Sequence, residues 1–159
     1  MVTFCRLFNR YGGRKINSEL TIPLFILCGG MAKRLGKISS TVPKILIDIN
    51  GKSFIEIQLN HYAEKGVQNF IYLTSHLNKD IEDKIEQLQK SHPSLNLEYI
   101  WEGPESYGTG GAVKNAFEGL SYKGAFLTYG DNYLDLNIKR FNQFCKSKEI
   151  LSVMAVYKN

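Results

Sequence analysis

Two kinds of hydrophobic pattern take turns along this chain: short unbroken apolar runs, and longer polar stretches with apolar residues three or four apart. The run Ile22–Leu27 is nearly all apolar, as a strand buried on both faces of a parallel sheet must be. Ile45–Ile49 reads as a second short strand, closed by the turn signal Asn50-Gly51. Ser53 then stands as an N-cap with Glu56 as its capping-box partner, and the helix runs to about Lys65 with Gly66 at its end. Phe54, Ile57, Leu59 and Tyr62 are its inward positions. Phe70–Leu73 is the next strand. A charged helix follows from Asn78 to about Lys90, with Ile81, Ile85 and Leu88 as its apolar stripe and Pro93 beyond its end.

Leu97–Trp101 is again a strand, Gly103–Gly111 a glycine-rich loop and Ala112–Leu120 a helix. Gly124–Tyr129 is a strand that stops at Gly130-Asp131-Asn132, Ile138–Cys145 is helical, and Leu151–Tyr157 is a last strand. Residues 1 to about 20 show neither period, and Tyr11–Lys15 looks like turn or tail, so they read as an N-terminal extension to one domain over 21–159. Strands alternating with helices predict an α/β protein, a three-layer α/β/α sandwich around a mostly parallel, mixed sheet.

The length of 159 residues suits one domain, and 43% hydrophobic with 22% charged content is ordinary for a globular chain. The net charge of +5 suits an anionic substrate. It would also allow a nucleic-acid binder, but no arginine-rich run or RNA-binding signature supports one, so no nucleic-acid partner is expected. Cys5, Cys28 and Cys145 form no CxxC pair and no disulfide framework, which points to reduced thiols and a cytoplasmic setting. His61, His76 and His92 share no metal-ligand spacing. The run Leu20–Cys28 follows Arg14 and Lys15 as a signal sequence would, but it contains Pro23, and Leu27 occupies the position where lipoprotein cleavage needs a small residue. A buried strand explains it better, and no stretch approaches the length of a membrane span.

The candidate chemistry lies in Leu27–Lys44, LCGGMAKRLGKISSTVPK. A buried strand empties into Gly29-Gly30, with Lys33 and Arg34 just beyond and Pro43-Lys44 closing the segment. Glycines let successive backbone N–H groups point at one anion, and the cations hold its charge. Two other segments look suggestive and fail. Gly51-Lys52-Ser53 ends like a Walker loop but has Leu46 where the first glycine belongs, and Gly108-Thr109-Gly110 begins like a dinucleotide fingerprint but has Val113 in place of its last glycine. At the carboxyl end of an apolar strand, Asp131 is where an acid commonly faces a ligand crevice, and its hard oxygen suits Mg²⁺.

The segment Gly29-Gly30-Met31-Ala32-Lys33-Arg34-Leu35 with Pro43-Lys44 resembles the G-G-x-G-x-R-L…P-K signature of sugar-1-phosphate nucleotidyltransferases, departing from it at Ala32. Glu102-Gly103-Pro104 through Tyr107-Gly108-Thr109-Gly110-Gly111-Ala112 resembles the family segment that lines the base and sugar pockets. Gly130-Asp131 resembles its metal-binding G-D pair. Residue 133 is Tyr, so the Asp-x-Asp of glycosyltransferases is absent. The resemblance runs over Ile22–Tyr157 and, within the family, is closest in look to heptose-1-phosphate guanylyltransferase-like members.

It implies the Rossmann-like, GT-A-like nucleotidyltransferase fold, without the usual C-terminal part. It implies transfer of a nucleoside monophosphate from a nucleoside triphosphate to a sugar-1-phosphate. Arg34, Lys44 and Asp131 would be the catalytic residues and Asp131 the Mg²⁺ ligand. Gly29, Gly30, Met31, Glu102, Gly108 and Thr109 would bind the nucleotide. The alternative is a short, inactive domain that only binds the nucleotide or sugar phosphate. An exposed sheet edge at Leu151–Tyr157 would invite pairing into a homo-oligomer.

Overall fold

The computed structural model describes residues 4–8, 22–29, 42–75, 78–103, 108–120, 122–147 and 152–156. In chain order the elements are β1 (Phe4–Phe8), β2 (Leu24–Leu27), a 3-10 turn (Lys44–Leu46), β3 (Asp48–Ile49), β4 (Lys52–Ser53), α1 (Phe54–Glu64), β5 (Asn69–Thr74), α2 (Asn78–Ser91), β6 (Asn96–Trp101), α3 (Gly108–Gly119), β7 (Gly124–Tyr129), α4 (Ile138–Lys146) and β8 (Ser152–Ala155).

Among the described residues, six strands form one sheet in the order β6-β5-β2-β7-β1-β8, and β3 and β4 form a separate ribbon. The first four of that order run parallel, and β1 lies antiparallel between β7 and β8. Strand pleating sends alternate side chains to opposite faces. On one face Leu24, Ile26, Phe70, Tyr72 and Phe126 pack with residues of α1, α2 and α4. On the other, Phe25, Ile71, Leu73 and Ala125 pack against Ala112, Val113 and Ala116 of α3. The result is the expected α/β architecture, helices on both faces of a mostly parallel sheet. Burial on both faces is why β2 and β5 carry almost no polar residues. The inward stripe of α2 is as predicted, with Ile81, Ile85 and Leu88 all buried.

Several local readings need correction. Phe4–Phe8 is a strand within the sheet rather than part of a tail, paired with β7 from Phe4↔Thr128 to Phe8↔Gly124. Its definition comes from partners far along the chain, which no local period reveals. Ile45–Ile49 is not one strand. Pro43 sets φ to −54°, and the bonds Leu46 N→Pro43 O and Ile47 N→Lys44 O close a 3-10 turn before β3 begins.

Asn50 (φ 55°) and Gly51 (φ 83°) then form the tight connection of the β3–β4 hairpin, since both positions need a left-handed backbone. Ser53 occupies the N-cap of α1 but makes no side-chain cap bond. Glu56 instead faces Lys84 of α2 at 3.5 Å, so the capping box does not form. On α1 the buried residues are Ile55, Gln58, Leu59 and Tyr62, with Phe54 and Ile57 only half-buried. Gly108–Gly111 lie in the first turn of α3 rather than in a loop before it. The strand expected at Leu151–Tyr157 is β8, at the margin of the sheet, where Met154 and Val156 are exposed.

Candidate functional site

From β2 the chain moves to one side for β5 and β6, then returns to the other side of β2 for β7. Such a reversal opens a crevice beyond the carboxyl ends of the strands. Here the exits of four parallel strands are tied to one another through main chain. Cys28 N donates to Leu73 O at 2.8 Å, Gly130 N to Leu27 O at 2.9 Å, and Glu102 N to Thr74 O at 2.9 Å. The segments leaving β2, β5, β6 and β7 therefore start from one level.

Above that level is a cleft of about 310 Å³, at the lower end of the usual range for ligand sites. Its floor is Leu27, Cys28, Ile45, Tyr129 and Gly130, and its rim is Gly29, Lys44, Ser75, Glu102, Gly108, Thr109 and Asp131. Main chain comes close at one of these glycines, Gly130, and a side-chain hydroxyl at another, Gly29. A Cβ on Gly130 would lie 3.0 Å from Leu27 O, and one on Gly29 would lie 2.5 Å from Ser75 Oγ. Gly108 opens α3 at φ +67°, a backbone that other residues adopt only under strain. Gly108 and Thr109 bring the N-terminal end of α3, where the helix dipole is positive, to the rim.

The charged pair on the rim is Lys44 and Asp131, which are 87 residues apart in sequence and joined by an ion pair. Burial of Ile45 in the 3-10 turn holds Lys44 at the cleft, while β7 delivers Asp131 through the turn at Gly130. Both side chains are about two-fifths exposed (39% and 41%), so each is open to exchange its partner for a ligand. Cys28 lies in the floor with its Sγ donating to Ile26 O, and burial pushes its thiol far up, so it stays protonated and is no nucleophile.

Among the described residues, no group of three or more His, Cys, Asp or Glu side chains could hold a metal unaided. The donor set fits Mg²⁺ only in the manner of a phosphate-bridging ion, which takes one or two carboxylates and fills its other positions with water and phosphate oxygen. Asp131 on the open rim supplies such a carboxylate.

Of the residues singled out by sequence, Gly29, Lys44, Glu102, Gly108, Thr109 and Asp131 meet around this cleft. Gly30, Met31 and Arg34 lie outside the described residues. Sequence reasoning missed Ser75 and Tyr129. The signal for Ser75 was its place just beyond the carboxyl end of β5, the same kind of position that pointed to Asp131. No helix among the described residues is long and apolar enough to cross a membrane.

Comparison with known proteins gives the family. A family model described as nucleotidyl transferase matches residues 24–159. The D-glycero-alpha-D-manno-heptose 1-phosphate guanylyltransferase of Campylobacter jejuni is 29% identical over 115 residues, covering 72% of this chain and 50% of that one. The glucose-1-phosphate cytidylyltransferase of Salmonella typhimurium is 28% identical over 142 residues, covering 77% and 55%. The crystal structure of HddC from Yersinia pseudotuberculosis complexed with GMP-PN superposes with a TM-score of 0.68 at 32% identity, covering 80% of this chain and 55% of that one. The chain spans about half the length of the curated relatives it matches.

Proposed function

The chain belongs to the nucleotidyl transferase family, and on that premise we propose that it transfers a nucleoside monophosphate from a nucleoside triphosphate to a sugar-1-phosphate, with release of pyrophosphate. The observation that carries the reading is the meeting of Lys44 and Asp131 on one rim beside Gly29. In the reaction, a phosphate oxygen of the sugar-1-phosphate attacks the α-phosphorus in line. The new P–O bond forms as the bond to the β-phosphate's bridging oxygen breaks, and pyrophosphate departs with that electron pair.

Such transfers need positioning and charge neutralisation more than covalent help from the protein. Lys44 offsets negative charge gathering on the reacting phosphates. The backbone of Gly29 and Gly30, with Met31 and Arg34, receives the triphosphate. Glu102, Gly108 and Thr109, which also line the cleft, face the base and sugar. Asp131 would hold Mg²⁺, which would supply neutralising charge for the reacting phosphates. Lys44, the ion-pair partner of Asp131, would turn to the phosphates once that carboxylate had another partner.

The test is pyrophosphate release with ATP, GTP, CTP and UTP, each against a panel of hexose and heptose 1-phosphates, with Mg²⁺ present or chelated. Turnover should require Mg²⁺, and Lys44→Ala and Asp131→Ala should each lose well over tenfold, since each removes a charged contact to the transition state. Triphosphate binding by calorimetry without release on any sugar phosphate would leave a nucleotide-binding domain instead. Full Mg²⁺-dependent turnover in Asp131→Ala would end the metal assignment.

A further inference from the structure

Helix α1 carries a polar residue where its period calls for an apolar one. Gln58 is fully buried, on the side of the helix that faces the sheet. A buried amide is costly unless its hydrogens are used. Gln58 uses both, and on one target: Nε2 donates to Tyr129 O at 3.0 Å and to Asn132 O at 2.8 Å. Those two carbonyls bracket Gly130-Asp131. The bracketed turn is closed on itself by Asn132 N→Tyr129 O and tied to β2 by Gly130 N→Leu27 O. Gln58 Oε1 is buried with no hydrogen-bond partner, so the donor end alone accounts for an amide at this place.

The grip continues along the same stripe of the helix. One turn on, His61 donates from Nε2 to Leu134 O at 2.9 Å and packs its ring on Tyr133, with centroids 4.1 Å apart. A further turn on, Lys65 reaches Asp135 at 2.5 Å. Residues 58, 61 and 65 share one face by helical spacing, and that face clasps the segment leaving β7.

We propose that Gln58 is a positioning residue for Asp131. It fixes the backbone on both sides of that residue, and so aims the carboxylate at the rim shared with Lys44. The inference rests on the reading of Asp131 as a ligand to a phosphate-bound metal, and it adds a residue that touches neither nucleotide nor metal. The chemistry is particular to the amide. Leucine or methionine would fill similar volume but take the amide donor away from both carbonyls, and glutamate would set acceptor oxygens against them.

The experiment compares Gln58→Leu, Gln58→Met and Asp131→Ala with the unaltered chain. The probes are ATP, GTP, CTP and UTP, titrated by calorimetry with Mg²⁺ and with chelator, alongside amide hydrogen exchange of residues 130–132. Gln58→Leu or Gln58→Met should weaken Mg²⁺-dependent binding of the tightest triphosphate about tenfold, leave chelator binding within about twofold, and speed exchange at 130–132 while α2 and β5 stay protected. In an Asp131→Ala background the Gln58 substitutions should add no further loss of affinity.

A purely structural role would instead lower both modes of binding together and loosen exchange throughout, and that result overturns the inference. It is also overturned, alone, if Asp131→Ala abolishes the Mg²⁺-dependent component while both Gln58 variants retain it. Retention of that component in Asp131→Ala removes the metal reading and this inference with it. If one Gln58 variant does not fold, the other is read by the same criteria, and failure of both to fold while Asp131→Ala folds normally counts as the purely structural result.

Discussion

Replacing Gly130 with alanine tests the cleft floor most directly. A methyl at this position would sit 3.0 Å from Leu27 O, 3.1 Å from Ile45 Cδ1 and 3.5 Å from Cys28 Cα. Relaxed contacts between such atoms lie near 3.5 Å or beyond. The Ile45 methyl can turn aside, but the Leu27 carbonyl cannot, because it accepts Gly130 N at 2.9 Å and belongs to the backbone between β2 and β7. The two strand exits must part by roughly 0.5 Å, which stretches that bond.

Overpacking of this kind costs about 1–3 kcal/mol, of which the weakened hydrogen bond supplies about 1 kcal/mol. For a chain of this size each kcal/mol moves Tm by about 2–4 °C, so thermal unfolding followed by circular dichroism should show a fall of about 2–12 °C. Triphosphate affinity should drop as well, since Asp131 is the next residue and Ile45 sits beside Lys44 in the 3-10 turn. An alanine variant with unchanged Tm and unchanged affinity would mean that β2 and β7 do not leave the sheet in contact, and the geometry argued for the cleft would be wrong.

Other outcomes follow from the same contacts. Gly29→Ala should destabilise the chain in urea by at most about 1 kcal/mol, because the obstructing atom, Ser75 Oγ, can turn to another rotamer, and Gly29→Ala/Ser75→Ala should recover that cost. Strict additivity of the pair would refute this. Lys65 holds the Asp135 carboxyl below its ordinary range, first by hydrogen bond and then by charge. The tether therefore contributes at pH above the unfolded carboxylate value, about 3.9, and is lost as pH falls through the lower folded value. NMR titration should find the Asp135 midpoint low, and Lys65→Met should return it to the ordinary range. Because burial keeps the Cys28 thiol protonated, thiol reagents at pH 8 should label it only after denaturant is added, and rapid labelling of Cys28 itself in the native chain, located by peptide mapping, would contradict its place in the floor.

The parts of this molecule that were legible in the sequence are those whose cause is local. The apolar run Leu24–Leu27, the stripe Ile81-Ile85-Leu88 and the strand Gly124–Tyr129 each declare themselves by period and punctuation. So did most of the cleft rim, because glycines, a Pro-Lys pair and an acid at strand ends are chemistry carried in short words. What stayed hidden depends on partners. Phe4–Phe8 is a strand because β7 and β8 flank it. Ile45 turns inward because Gly130 leaves room for it. Gln58 reads as one more polar residue on a helix until the carbonyls of Tyr129 and Asn132 come within its reach.

The level at which β2, β5, β6 and β7 end is built from peptide groups bonded to peptide groups. Peptide groups are common to every sequence, so this footing is inherited with the sheet and not with particular side chains. Divergence to about 30% identity, as between this chain and HddC, can then rewrite the residues around the opening while leaving the ground beneath them where it was. Selection for a new ligand would act on the rim alone, and the architecture would not have to be reinvented each time.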